Sequence, residues 1–136
     1  MPTIVVAAFL LRQATVSAPR PFPDPLAAGW KGKPVCERLA EDDTQRVLRC
    51  TFPPGGGHDL HAHAPHFGYA LSGGRMRITD ATGVREAVLA TGSTFTSTGV
   101  HWHEVLNIGE TTVQYLIIES KAACPCATGP AATPKP

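Results

Sequence analysis

Between residues 35 and 119 the chain is cut into short runs of Val, Ile, Thr, Leu and aromatic residues by closely spaced turn signals. Pro53-Pro54-Gly55-Gly56-Gly57, Ser72-Gly73-Gly74 and Asp80-Ala81-Thr82-Gly83 are the clearest of them. Such punctuation leaves no room for a ten-residue amphipathic helix after residue 30, and it predicts an all-β domain, a sandwich or a barrel. Strands are expected at 35–40, 45–52, 58–63, 67–71, 75–79, 84–89, 93–96, 102–107 and 112–119, the first two closing a hairpin around Asp42-Asp43. Residues 113–118 are nearly all apolar and read as a strand covered on both faces. Phe67, Tyr69, Met76 and Tyr115 read as barrel core, and Arg75 and Arg77, alternating with core positions, as a solvated face.

A chain of 136 residues fits one domain. Four prolines between Pro19 and Pro25 mark a boundary or an extended arm. The expected division is an N-terminal arm or signal remnant at 1–21, a folded unit at 22–121, and a tail at 122–136 that is too poor in hydrophobic residues to order. The apolar run at 4–11 is too short to span a membrane. Val16-Ser17-Ala18 would suit a signal cleavage site, but nothing basic precedes Ile4. A cytoplasmic location is preferred on this reading, with a secreted or periplasmic one as the alternative. Twelve basic against eleven acidic residues leave no basic stripe, which argues against nucleic acid and membrane surfaces as partners. Cys36 and Cys50 flank the first hairpin. Two separate buried thiols are the preferred reading, and a cross-link worth roughly 3 kcal/mol is the alternative. Cys124 and Cys126 in the tail read as incidental.

All six histidines lie in two short segments: His58, His61, His63 and His66 in one, His101 and His103 in the other. Imidazole suits Zn, Cu, Fe and Ni, so this confinement points to a transition-metal site built from two strands. His61 and His63 are two apart and share a strand face. His66 has the opposite parity, but Pro65 and a bulge could redirect it. His101 and His103 share a face with Asn107, and either could close the site. His58, after three glycines, reads as a solvated loop residue, and Glu104 as an exposed neighbour of His103 on the other face.

The two segments resemble the paired motifs of the cupin superfamily, including its RmlC-like members. The first motif is G-x5-H-x-H-x3,4-E-x6-G, matched here by Gly55, His61, His63 and Gly73. The second is G-x5-P-x-G-x2-H-x3-N, followed in order by Gly92, Gly99, His103 and Asn107. The resemblance covers most of 34–120. It implies a double-stranded β-helix, a jelly-roll barrel, with one metal inside held by His61, His63 and His103. Asn107 anchors the choice of His103 over His101. Three positions depart from the pattern. His66 stands where the carboxylate ligand belongs, Ser97 takes the place of the proline, and Trp102 occupies the spacing expected of the second-motif histidine. His61, His63, His66 and His103 are therefore the expected ligands of one divalent transition metal, whether Fe, Zn, Mn, Ni or Cu. The resemblance also implies pairing of two copies through sheet edges.

Neutral imidazoles leave a divalent ion its full charge, so the expected partner is a small anionic organic molecule. Histidine-only sites resemble those of thiol and diketone dioxygenases, which makes dioxygenase-type chemistry the first reading. A non-catalytic binding or sensing module, and a metal-dependent isomerase, decarboxylase or lyase, are the alternatives. No Ser-His-Asp or Cys-His arrangement is legible, so no catalytic residue beyond the metal ligands is assigned.

Overall fold

A computed structural model of the chain describes residues 22–121. The arm-or-signal reading of 1–21 and the disordered-tail reading of 122–136, with Cys124 and Cys126, lie outside the described residues. Within them the chain is all β, with no helix. A small hairpin pairs β1 (Gly29–Trp30) with β2 (Lys33–Pro34). The long strands are β3 (Cys36–Glu41), β4 (Gln45–Phe52), β5 (Gly57–His63), β6 (His66–Ser72), β7 (Gly74–Asp80), β8 (Gly83–Leu89), β9 (Thr94–Ser97), β10 (Val100–Asn107) and β11 (Val113–Ser120). They form a four-stranded sheet in the order β5-β10-β7-β8 and a five-stranded sheet in the order β3-β4-β11-β6-β9, with every pairing antiparallel.

The two sheets face one another over a shared core. Leu48, Phe52, Val113 and Ile117 come from one sheet, Met76 and Val105 from the other. Alternation along β4 and β11 explains this: Leu48, Cys50 and Phe52 point inward, as do Val113, Ile117 and Glu119, while the residues between them are less buried.

Three local expectations are corrected. Phe67 and Tyr69 lie on the outward face of β6, 40% and 39% exposed. The inward positions of that strand belong to small residues, Gly68 and Ala70. A β-carbon on Gly68 would lie 2.0 Å from the Phe95 ring, so the space that larger core residues would take is filled from β9. For the same reason β11 is not buried on both faces. Its outward Leu116 and Ile118 are only half-buried, opposite Tyr69 and Phe67. Finally, Cys36 and Cys50 are not separate thiols. They are register partners on β3 and β4 with Cα atoms 4.0 Å apart, and they are joined as a disulfide.

The two halves of the histidine pattern meet through the backbone. Gly55, at φ 74, makes the turn before β5, in a left-handed conformation that glycine adopts without penalty. Its N–H donates to the Asn107 carbonyl at 3.0 Å, and the Asn107 N–H donates to Gly56 at 2.8 Å. The Asn107 side chain, 1% exposed, donates to the carbonyls of Phe52 and Thr111, both at 2.8 Å. These bonds hold β5 beside β10 and so set the relation of His61 and His63 to His103.

Candidate metal centre

Two register shifts decide which histidines face the interior. In β5, Val105 pairs with His58 and His103 with His61, so three residues of β5 oppose two of β10. This bulge changes the parity, and His58, His61 and His63 are all buried while Asp59 is exposed. In β10, Val100 pairs with His63 and His103 with His61, so an extra residue lies on that strand too. It leaves His101 exposed, its ring edge-on to Phe22 at 5.3 Å, and turns His103 inward. Glu104 is exposed, as its parity predicts.

His61, His63 and His103 converge. His61 Nε2 lies 3.0 Å from His63 Nε2 and 3.0 Å from His103 Nε2. His61 Nδ1–H donates to the Asp59 carbonyl at 2.7 Å, and His63 Nδ1–H donates to Glu119 Oε1 at 2.6 Å. Carbonyl and carboxylate acceptors put the single proton of a neutral imidazole on Nδ1. In the neutral form that ligates a metal, both Nε2 atoms carry bare lone pairs, facing each other across 3.0 Å. Burial pushes the His61 pKa down to about 2 and that of His103 to about 3, with neighbouring histidines adding to each shift, so neither ring takes up a proton near neutrality. Facing lone pairs repel unless a cation lies between them. Two nitrogens bound to one transition-metal ion at 2.0–2.1 Å lie roughly 2.8–3.4 Å apart, so the donor set fits a single ion.

His66 stands apart from that trio. It is on the other sheet, partly buried, with its ring centroid 5.0 Å from that of His63 and its Nδ1–H donating to the Ala64 carbonyl at 2.8 Å. Its donor atom groups instead with His63 and Glu119, all within 4.8 Å of one another. Burial lowers its pKa.

Two residues of the candidate site escaped sequence reasoning. Glu119, 1% exposed, is the register partner of both Arg46 and His66. Burial alone would raise its pKa, but hydrogen bonds from His63 and from Arg46 Nε at 2.6 Å outweigh that and hold it below the ordinary carboxylate range. Arg46 is held in turn by Asp24 at 2.5 Å. The signal was available: Glu119 is a carboxylate at an inward position of an otherwise apolar strand. His58 is the second. The bulge in β5 buries it to 1% exposure, stacked on His61 at 3.7 Å between ring centroids, with Nε2 bonded to the carbonyls of Pro25 and Ala28 at 3.0 and 3.3 Å. Burial pushes its pKa down to about 4. No sequence cue marked the bulge.

Beside the trio, Met76, Ile78, Ala87, Leu89, Phe95, His103, Val105 and Tyr115 line a cavity of about 240 Å³ between the sheets.

Two antiparallel sheets closed over a buried imidazole cluster define a jelly-roll barrel with a candidate metal centre inside. The fold is that of the cupins. A cupin domain from Bordetella pertussis Tohama I superposes with a TM-score of 0.62 at 23% identity, over 69% of this chain and 95% of that one. The polyketide cyclase RemF from Streptomyces resistomycificus superposes with a TM-score of 0.52 at 18% identity, over 66% of each chain. No family model matches the sequence, and no curated protein does.

Proposed function

We propose that this chain binds one divalent transition metal at His61, His63 and His103, with His66 the donor nearest at hand for a fourth position, and acts on a small organic anion by dioxygenase-type chemistry. The observation that carries the reading is the pair of Nε2 atoms 3.0 Å apart, each ring fixed by an acceptor at its Nδ1. A bound ion, whether Fe, Zn, Mn, Ni or Cu, would supply Lewis acidity and, for a redox-active metal, a route for electrons to dioxygen. The rest falls to the protein. Asp59 and Glu119 hold two rings in the ligating tautomer. Arg46 keeps Glu119 ionised. His58, neutral and stacked on His61, closes the interior side of that ring. With no carboxylate in the trio, the ion keeps its charge for an anionic ligand, and the wall beyond His103 is apolar.

Elemental analysis of purified protein tests the metal claim, with an expected content close to one ion per chain that is lost in His61→Ala and His63→Ala. Equal, negligible metal in all three would overturn it. Oxygen uptake by the iron-loaded chain across a panel of small acids, diketones and thiols tests the chemistry. Tight ligand binding with no uptake under any metal would replace the enzyme with a binding module.

A further inference from the structure

The cavity beside His103 has a character that a site for polar metabolites would not share. Of its lining, Met76, Ile78, Ala87, Leu89, Phe95 and Val105 offer only carbon and sulfur. Its polar members are His103, which belongs to the metal trio, and Tyr115. The Tyr115 ring packs 5.2 Å from Phe52 and 5.8 Å from Phe95, and its hydroxyl, with no hydrogen-bond partner among the described residues, is not sealed by protein but open to the cavity. Burial raises the pKa of that hydroxyl, so it stays a donor. A ligand that covered this hydroxyl would have to supply a partner, since burying one without a hydrogen bond costs on the order of 1–3 kcal/mol by mutational measures. The cavity is the space from which a partner can come.

Charge limits the occupant further. The cations nearest the trio are already committed: Arg85, whose charge is felt at His103, is paired with Asp80, and Arg46 is shared between Asp24 and Glu119. A second negative charge on the part of a ligand that lies away from the ion would enter an apolar space that, among the described residues, no cationic side chain lines. Volume sets the size. A cavity of about 150 Å³ lined by aliphatic and aromatic groups accepts benzene, so about 240 Å³ accepts a ring-sized body with one small substituent.

Resting on the metal reading above, we propose that the ligand is a small monoanion with a largely apolar, ring-sized body. The body occupies the cavity between Met76 and Phe95, the anionic head meets the metal beside His103, and the Tyr115 hydroxyl donates to an oxygen on the ligand. This narrows the expected small organic anion to one class and disfavours dicarboxylates and zwitterionic amino acids.

Two titrations separate this inference from the metal reading. The first follows binding of benzoate and of terephthalate, the same ring with a second carboxylate at its far end, to the metal-loaded chain by calorimetry. Benzoate should bind at least tenfold more tightly than terephthalate. Ala87→Leu and Ala87→Phe should weaken benzoate at least tenfold with metal content unchanged, and Tyr115→Phe should weaken it about tenfold, the effect of one hydrogen bond to a charged group. Terephthalate binding equal to or tighter than benzoate, or an Ala87→Leu variant that folds and binds benzoate like wild type, would overturn the proposal. The second follows fluorobenzene binding to chelator-treated protein by fluorine NMR. Binding that Ala87→Leu abolishes supports the apolar subsite even where the protein takes up no metal, while no binding to the folded wild type counts against the cavity itself.

Discussion

Replacing Glu119 by Gln keeps the side-chain volume and removes one charge from the innermost part of the site. In the native chain one carboxylate oxygen accepts the His63 Nδ1–H at 2.6 Å and the other takes Arg46 at 2.6 Å. A glutamine has one acceptor oxygen for these two donors. Arg46, always charged and also tied to Asp24, keeps that oxygen. The amide NH2 then faces His63 Nδ1, a donor against a donor. The imidazole relieves the clash by moving its proton to Nε2, the atom aimed at His61. His63 is then no longer a ligand without first breaking that arrangement. Removing a hydrogen-bond partner behind a metal-bound histidine costs about 10–100-fold in metal affinity, or about 1.4–2.7 kcal/mol. Competition against a chelator of known affinity measures this directly. Metal-free stability should also fall, by about 1.5–3 kcal/mol for a lost hydrogen bond to charged groups, read as the melting temperature in chelator. If Glu119→Gln binds metal within about threefold of wild type while folding normally, Glu119 does not orient His63 and the tautomer reasoning fails.

Three further outcomes are expected. His58, His61 and His103 are held neutral in the folded protein, with pKa values near 4, 2 and 3, whereas in the unfolded chain they titrate near 6.5. The unfolded state therefore takes up protons first as the pH falls below about 6.5, and chelator-treated protein should lose stability from there down toward about pH 4, by up to about 1.4 kcal/mol per pH unit for each histidine; a melting temperature flat across that range would contradict the burial argument. Changing both Cys36 and Cys50 to Ser, or melting in reductant, should cost about 3 kcal/mol for a closed loop of roughly 15 residues, and an unchanged melt would show that the cross-link contributes nothing. Gly68→Ala should cost about 1–3 kcal/mol, or roughly 4–8 °C per kcal/mol, because its β-carbon would enter the Phe95 ring; smaller residues at Phe95 should restore the loss.

Much of the architecture was legible because turn chemistry and alternation act locally. The strand runs fall within a residue or two of β3 to β11, and Gly55 and Asn107 marked the backbone junction that aligns the trio. What stayed hidden depends on register. A bulge changes parity without any residue type announcing it, so His58 read as loop although it lies under His61. The apolar alternation of β6 fits either face equally well, and only the Phe95 ring over Gly68 decides it. Glu119 lies 53 residues beyond His66 in the chain, outside both histidine segments, and its role exists only once β11 pairs with β4 and β6.

The short segment ahead of β1 has a consequence for where this unit can be cut. The Pro23 carbonyl accepts the Ala62 N–H at 2.9 Å, Pro25 and Ala28 receive His58, and Asp24 holds Arg46. Ala62 and His58 belong to one sheet and Arg46 to the other, so the segment fastens the two like a clasp. Its prolines stiffen that clasp before folding begins, which reduces the entropy lost in closing it. A fragment starting at Val35 would retain every long strand yet lose the link behind His58 and Arg46, so the smallest fragment that keeps the two sheets fastened there begins ahead of Pro23.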